Sequence, residues 1–146
     1  MKPKLIGYWV TTAIIEFELI VGGITDLVHG RTVLVFGPPV VDVLAQLGYP
    51  VYLLTILGIW KLLGGIALVV PRFPRLKEWA YAGVFFEMTG AAASWIATGD
   101  KTGQFITPLI FVVFAMASWA LRPPARILGS VLPLKLAAHG GVAPEE

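Results

Sequence analysis

Charge is scarce in this sequence. Only 14% of its 146 residues are Asp, Glu, Lys or Arg, against about 25% in an ordinary soluble domain. With 57% hydrophobic residues and a mean hydropathy of +0.80, the chain has too few polar side chains to cover a water-facing surface, and lipid is the solvent that fits. Cysteine is absent, which excludes disulfides, thiol catalysis, iron–sulfur clusters and c-type haem attachment. Histidine occurs only as His29, at the end of an apolar run, and His139, in the tail. No pair is therefore placed to sandwich a haem. No Cys/His/carboxylate spacing suggests a metal site, and no phosphate-binding loop or nucleophile–base pair is visible. The net charge is only +2 and the basic residues lie in short loops, so no nucleic-acid partner is expected.

What is present is apolar length. A membrane span needs about 20 mostly apolar residues, and four stretches qualify: 5–28, 51–70, 78–98 and 105–121. Proline and glycine punctuate between them, as in Gly48-Tyr49-Pro50 and Pro123-Pro124. The N-terminal run is too long for a signal peptide, contains Glu16 and Glu18, and lacks a small-residue cleavage site; it reads as a retained first span. The expected fold is all-α: a four-helix transmembrane bundle over 1–126, followed by a short tail, 127–146. In the first loop Val40, Val43, Leu44 and Leu47 recur at helical spacing between Pro39 and Gly48. A short interfacial amphipathic helix is predicted there.

Lys2, Lys4, Arg72, Arg75, Lys77, Arg122, Arg126 and Lys135 fall on one side of this topology, and only Arg31 and Lys101 on the other. The positive-inside rule puts both termini in the cytoplasm of a cell whose inner (plasma) membrane the chain crosses several times. Arg72, Arg75 and Lys77 are read as topogenic, and Glu78 as an acid suited to a helix start.

The informative residues are the ionisable ones inside the spans, because each needs a partner or a wet cavity. At 1.5 Å per residue, Glu18 lies about 20 Å, Lys61 about 15 Å and Glu87 about 14 Å from the start of its own span. All three fall in the middle third of a hydrocarbon core about 30 Å thick. On the first helix Glu18 shares a stripe with Thr11, Gly22, Thr25 and Asp26. Glu16 lies about 200° away on a less polar stripe, which favours Glu18 for the interior. Asp26, one turn from the outer end, either faces the same cavity or snorkels, the second being preferred. Lys61 shares a face with Gly58, Gly64 and Gly65; Glu87 shares one with Gly83, Gly90 and Ser94. Small residues beside charges allow close helix approach. The candidate set is thus Glu18, Lys61 and Glu87, with Asp26, Glu16 and Ser94 as secondary members. It is either a proton- or ligand-handling site or a buried ion pair that fixes helix register, and no catalytic residue is assigned.

The segment Leu57-Gly58-Ile59-Trp60-Lys61-Leu62-Leu63-Gly64, the preceding Leu47-Gly48-Tyr49-Pro50, and the loop Pro74-Arg75-Leu76-Lys77-Glu78-Trp79-Ala80-Tyr81-Ala82-Gly83 resemble the DoxX-like family of small bacterial membrane proteins. So do Phe85-Phe86-Glu87-Met88-Thr89-Gly90-Ala91 and Ser118-Trp119-Ala120-Leu121-Arg122-Pro123-Pro124. The resemblance runs from about Tyr8 to Arg126 and implies a four-helix membrane bundle. It also brings in a quinone-linked respiratory oxidase, with whose subunit the wider group shares its name. Where the family pattern ends the third helix in Ser-His, this chain has Ser94-Trp95, so no role resting on that histidine carries over.

Four functions fit this reading. The first is a quinone- or lipid-linked redox accessory, with the cluster holding a polar head and no covalently bound cofactor. The second is a small-solute or proton-coupled carrier, working as a homo-oligomer. The third is a cofactor-free acid–base enzyme on a hydrophobic substrate. The fourth is a structural partner in a larger membrane complex.

Overall fold

The computed structural model describes residues 3–30 and 38–127. Among them every regular element is helical: α1, Pro3–Leu27; α2, Val40–Leu47; α3, Tyr52–Val69; α4, Pro74–Ala97; and α5, Ile106–Leu121. A short 3₁₀ turn, Pro124–Arg126, follows. Lys2, Arg31, Lys135, His139 and tail residues 128–146, which entered the charge and topology expectations, lie outside the described residues.

Local chemistry sets the boundaries. The short helix predicted in the first loop is α2; it begins after Pro39 and stops at Gly48, whose φ of 79° a side chain would resist. Helix α3 ends before Pro71, which has no N–H to continue it. Helix α4 begins one turn earlier than the expected 78, because Pro74 sits comfortably in a first turn. Among the described residues only α1 and α3 are, by length and composition, long and apolar enough to cross a membrane; α5 is apolar but 16 residues long.

The N-terminal part of α1 packs on α5, α5 on α4, α4 on α3, and α3 on the C-terminal part of α1. Ile15, Leu19, Leu68, Tyr81, Val84, Met88 and Ala115 form the core between them. The outside is as apolar as the inside: Phe86 is 70% and Val113 67% exposed, while Thr12, Asp26, Lys77 and Ser118 are buried. Large apolar side chains spread over the surface with polar groups held within suit a hydrocarbon solvent and would be a liability in water.

One polar layer sits at the end of the molecule bearing the loop between α3 and α4. Lys77, 1% exposed, donates from Nζ to the carbonyl oxygens of Ala67 (2.9 Å), Leu68 (2.5 Å) and Val70 (2.5 Å), capping the C-terminus of α3. The charge pattern alone does not reveal this second role: the last carbonyls of α3 have no partner in their own helix, and an ammonium one short turn away satisfies them. Beside it Ser118 Oγ bonds to both Thr12 Oγ1 and Tyr81 OH at 2.7 Å. Glu78 pairs with Arg122 at 2.8 Å and accepts from Trp119 Nε1 at 2.8 Å.

Candidate functional site

The first helix is not a regular α-helix throughout. Glu18–Gly22 form a π-turn, and this irregularity builds the site. Eight α-helical steps of about 100° would leave Asp26 about 80° round the axis from Glu18. The i→i+5 bonds of the π-turn absorb about one extra residue, so the net rotation resembles seven steps, within about 20° of whole turns. Glu18 and Asp26 therefore address the same neighbour.

That neighbour is Lys61 on α3. Its Nζ lies 3.0 Å from Glu18 Oε1, 3.0 Å from Asp26 Oδ2 and 3.3 Å from Glu87 Oε1 of α4. Three helices thus deliver three carboxylates to one ammonium, and the four side chains retain between 6% and 19% of their accessible surface. Glycines give them room. A Cβ on Gly22 would lie 2.9 Å from Glu18 Oε1 and 3.3 Å from Lys61 Nζ. A Cβ on Gly58 would lie 2.8 Å from the carbonyl oxygen of Gly23, so α1 and α3 meet backbone to backbone immediately beside the cluster.

The sequence candidates separate clearly. Glu18, Lys61 and Glu87 come together as expected. Asp26 does not snorkel: it is 4% exposed and belongs to the cluster, because the π-turn swings it inward. Glu16 points elsewhere, its Oε2 lying 3.1 Å from where a Gly65 Cβ would stand. Ser94 makes no contact with Lys61; its Oγ is 2.9 Å from Tyr49 OH and bonds back to the Gly90 carbonyl.

Two spaces adjoin the cluster. A cavity of about 520 Å³ lies between α1, α2, α3, α4 and α5, with the four charged residues towards its inner end and Tyr49, Ser94 and Trp95 towards the other. A groove of about 310 Å³ runs between α3 and α4 in the opposite direction, past Gly64 and Gly83 to Ala67 and Leu76. Lys61 and Glu87 line both, so this ion pair stands where the two spaces meet. The second oxygen of Glu18, Oε2, is buried without a hydrogen-bond partner among the described residues, and a carboxylate oxygen in that condition is costly unless something else satisfies it. One positive and three negative groups leave an excess of acceptors and protonatable sites. The arrangement can hold a hydrogen-bonding or cationic group and exchange a proton with it.

A family model described as the DoxX-like family matches residues 10–118, a stretch that contains all four members of the cluster. No curated protein and no solved structure matches the chain.

Proposed function

The chain belongs to the DoxX-like family of membrane proteins, and from that membership and the geometry of its charge cluster we propose that it binds a lipophilic molecule by its polar head at Lys61. In this reading the four long helices form a transmembrane bundle in a cell's inner membrane with both termini cytoplasmic. Arg72, Arg75, Lys77, Arg122 and Arg126 mark the cytoplasmic end and Lys101 the outer one, which supports that orientation. The ligand is a quinone or a lipid, and the protein acts as an accessory to a redox partner, offering the ligand hydrogen bonds and a proton.

The observation that carries the proposal is the position of the Lys61–Glu87 pair. A pair placed only to fix helix register would be best sealed on all sides. This one faces an apolar groove on one side and a mixed cavity on the other, and a mostly apolar site with a few convergent polar groups is how small-molecule sites are built. The test is native mass spectrometry of protein taken from membranes in mild detergent, comparing wild type with Glu87→Gln. The substitution is isosteric and leaves Glu18 and Asp26 on Lys61, so the fold should persist. A quinone or lipid retained by the wild type and lost from the variant supports the reading. Identical bare spectra from two stable proteins refute it.

A second reading, acid–base catalysis on the bound molecule, draws on the same pair, in which an ammonium stands 3.3 Å from a carboxylate. Turnover of the retained molecule to an isomer would distinguish it. Flux through liposomes that depends on Lys61 would instead favour a carrier.

A further inference from the structure

The groove between α3 and α4 has the form of a chain-binding slot. Lys61 and Glu87 stand near one end of it, with Leu57 one turn beyond them, and its walls are otherwise apolar. Gly64 and Gly83 leave it open: a Cβ on Gly83 would meet nothing within 4 Å, and one on Gly64 would only reach Leu19 Cδ1 at 4.0 Å. Trp60 and Trp79 belong to its lining and are 67% and 77% exposed, so the slot opens sideways to whatever surrounds the helices. At 1.5 Å per residue it extends about 15 Å along α3, from Leu57 to Ala67, and about 16 Å along α4, from Leu76 to Glu87. With a volume of about 310 Å³ it suits one hydrocarbon chain of medium length.

Resting on the reading of Lys61 as a head-group site, the geometry points to the α3–α4 groove as the seat of the hydrocarbon chain of a single-chain amphiphile whose head is neutral or cationic. The charge of the cluster selects the head. Three carboxylates surround one ammonium, so a further anion at the end of the slot would meet net repulsion in a medium that screens little. A hydroxyl, a carbonyl or an amine finds acceptors, a donor or both. Entry is lateral, between the two tryptophans, and the chain lies on the side of the cluster away from α2.

Three probes of equal chain length test this: dodecylamine, dodecanol and dodecanoate, titrated into delipidated full-length protein and counted by native mass spectrometry. Dodecylamine and dodecanol should bind, and dodecanoate at least about tenfold more weakly. Gly83→Leu and Gly64→Leu fill the groove from its two walls and should each weaken binding at least about tenfold, whereas Gly90→Leu, which lines only the cavity on the other side, should leave it within about twofold. Gly83 and Gly90 both have open space at Cβ, so those two variants should melt as the wild type does. Weakening by Gly90→Leu alone would place the chain in the cavity and overturn the groove assignment, while leaving the head-group reading intact. Dodecanoate binding as well as dodecylamine would overturn the ligand class. Unchanged probe binding with a lowered dimer fraction in Gly83→Leu would show that a second copy fills the groove. Loss of the natural ligand in Glu87→Gln without any groove effect would fail this inference and spare the proposed function.

Discussion

Glu18 and Asp26, eight residues apart on one helix, both lie 3.0 Å from the same Lys61 Nζ. A regular α-helix would leave them about 80° apart around its axis, and the π-turn between them narrows that angle so that they converge. Removing the shared ammonium should expose how strongly they depend on it. Lys61→Ala leaves three carboxylates facing one another in a buried layer and is expected to cost about 3–5 kcal/mol. Adding Asp26→Asn removes one of the repelling charges and should restore part of that loss. Thermal melts of the two single variants and the double variant form the cycle that checks it; strict additivity would mean the two side chains do not interact.

The backbone contact beside the cluster gives a steric prediction. Gly58→Ala places a methyl 2.8 Å from the Gly23 carbonyl oxygen, forcing α1 and α3 apart, with an expected loss of about 1–3 kcal/mol. Gly90→Ala, in open space on α4, should be neutral or slightly stabilising, as alanine favours helix over glycine. Melting midpoints of the two proteins in one detergent should differ in that order.

Much of this arrangement is legible in the sequence. Four apolar runs, the short helix Val40–Leu47 and the meeting of Glu18, Lys61 and Glu87 all follow from run length, depth and helical facing. Asp26 was legible only in part: the stripe it shares with Glu18 pointed to the cluster, but its place one turn from the outer end also reads as snorkelling, and the i→i+5 turn within Glu18–Gly22 that brings it fully inward leaves no mark in an apolar segment. The cap formed by Lys77 was hidden for a related reason. Its position in a basic loop is the usual sign of a topogenic charge, and only the three-dimensional path of the loop brings it under the open carbonyls of α3. A usable signal existed: a lysine shortly after Pro71 and Pro74, where one helix has just ended with unsatisfied acceptors.

The cap makes its own prediction. Lys77→Met keeps much of the buried aliphatic stem but removes the donor shared by the Ala67, Leu68 and Val70 carbonyls, and about 1–3 kcal/mol should be lost. Amide exchange in the last turn of α3 should rise in the variant more than exchange near the Lys61 cluster.

The loop before α5 carries an acid-dependent element. Asp100 accepts from the Thr102 hydroxyl at 2.5 Å, from Thr102 N at 2.7 Å and from Phe105 N at 3.4 Å. Those donors, the Thr102 hydroxyl foremost, hold its carboxyl below the usual range. A carboxylate depressed in the folded state stabilises above its unfolded pKa of about 3.9, and the contribution disappears as pH falls through the folded value. Wild type should therefore melt above Asp100→Ala at pH 6, and the two midpoints should converge on acidification below about pH 4. A gap that stays constant with pH would mean the carboxylate charge contributes nothing there.

The central claim is that the Lys61–Glu87 pair receives the head of a bound lipophile. A crystal structure grown from a lipidic mesophase, with protein never stripped of its native lipids, tests it most directly. Elongated density whose polar end lies within about 3 Å of Lys61 Nζ or a Glu87 carboxylate oxygen is the result expected. Ordered water alone in the groove and the cavity, with the four side chains satisfying only one another, would contradict it and leave the cluster as the lock that fixes three helices in register.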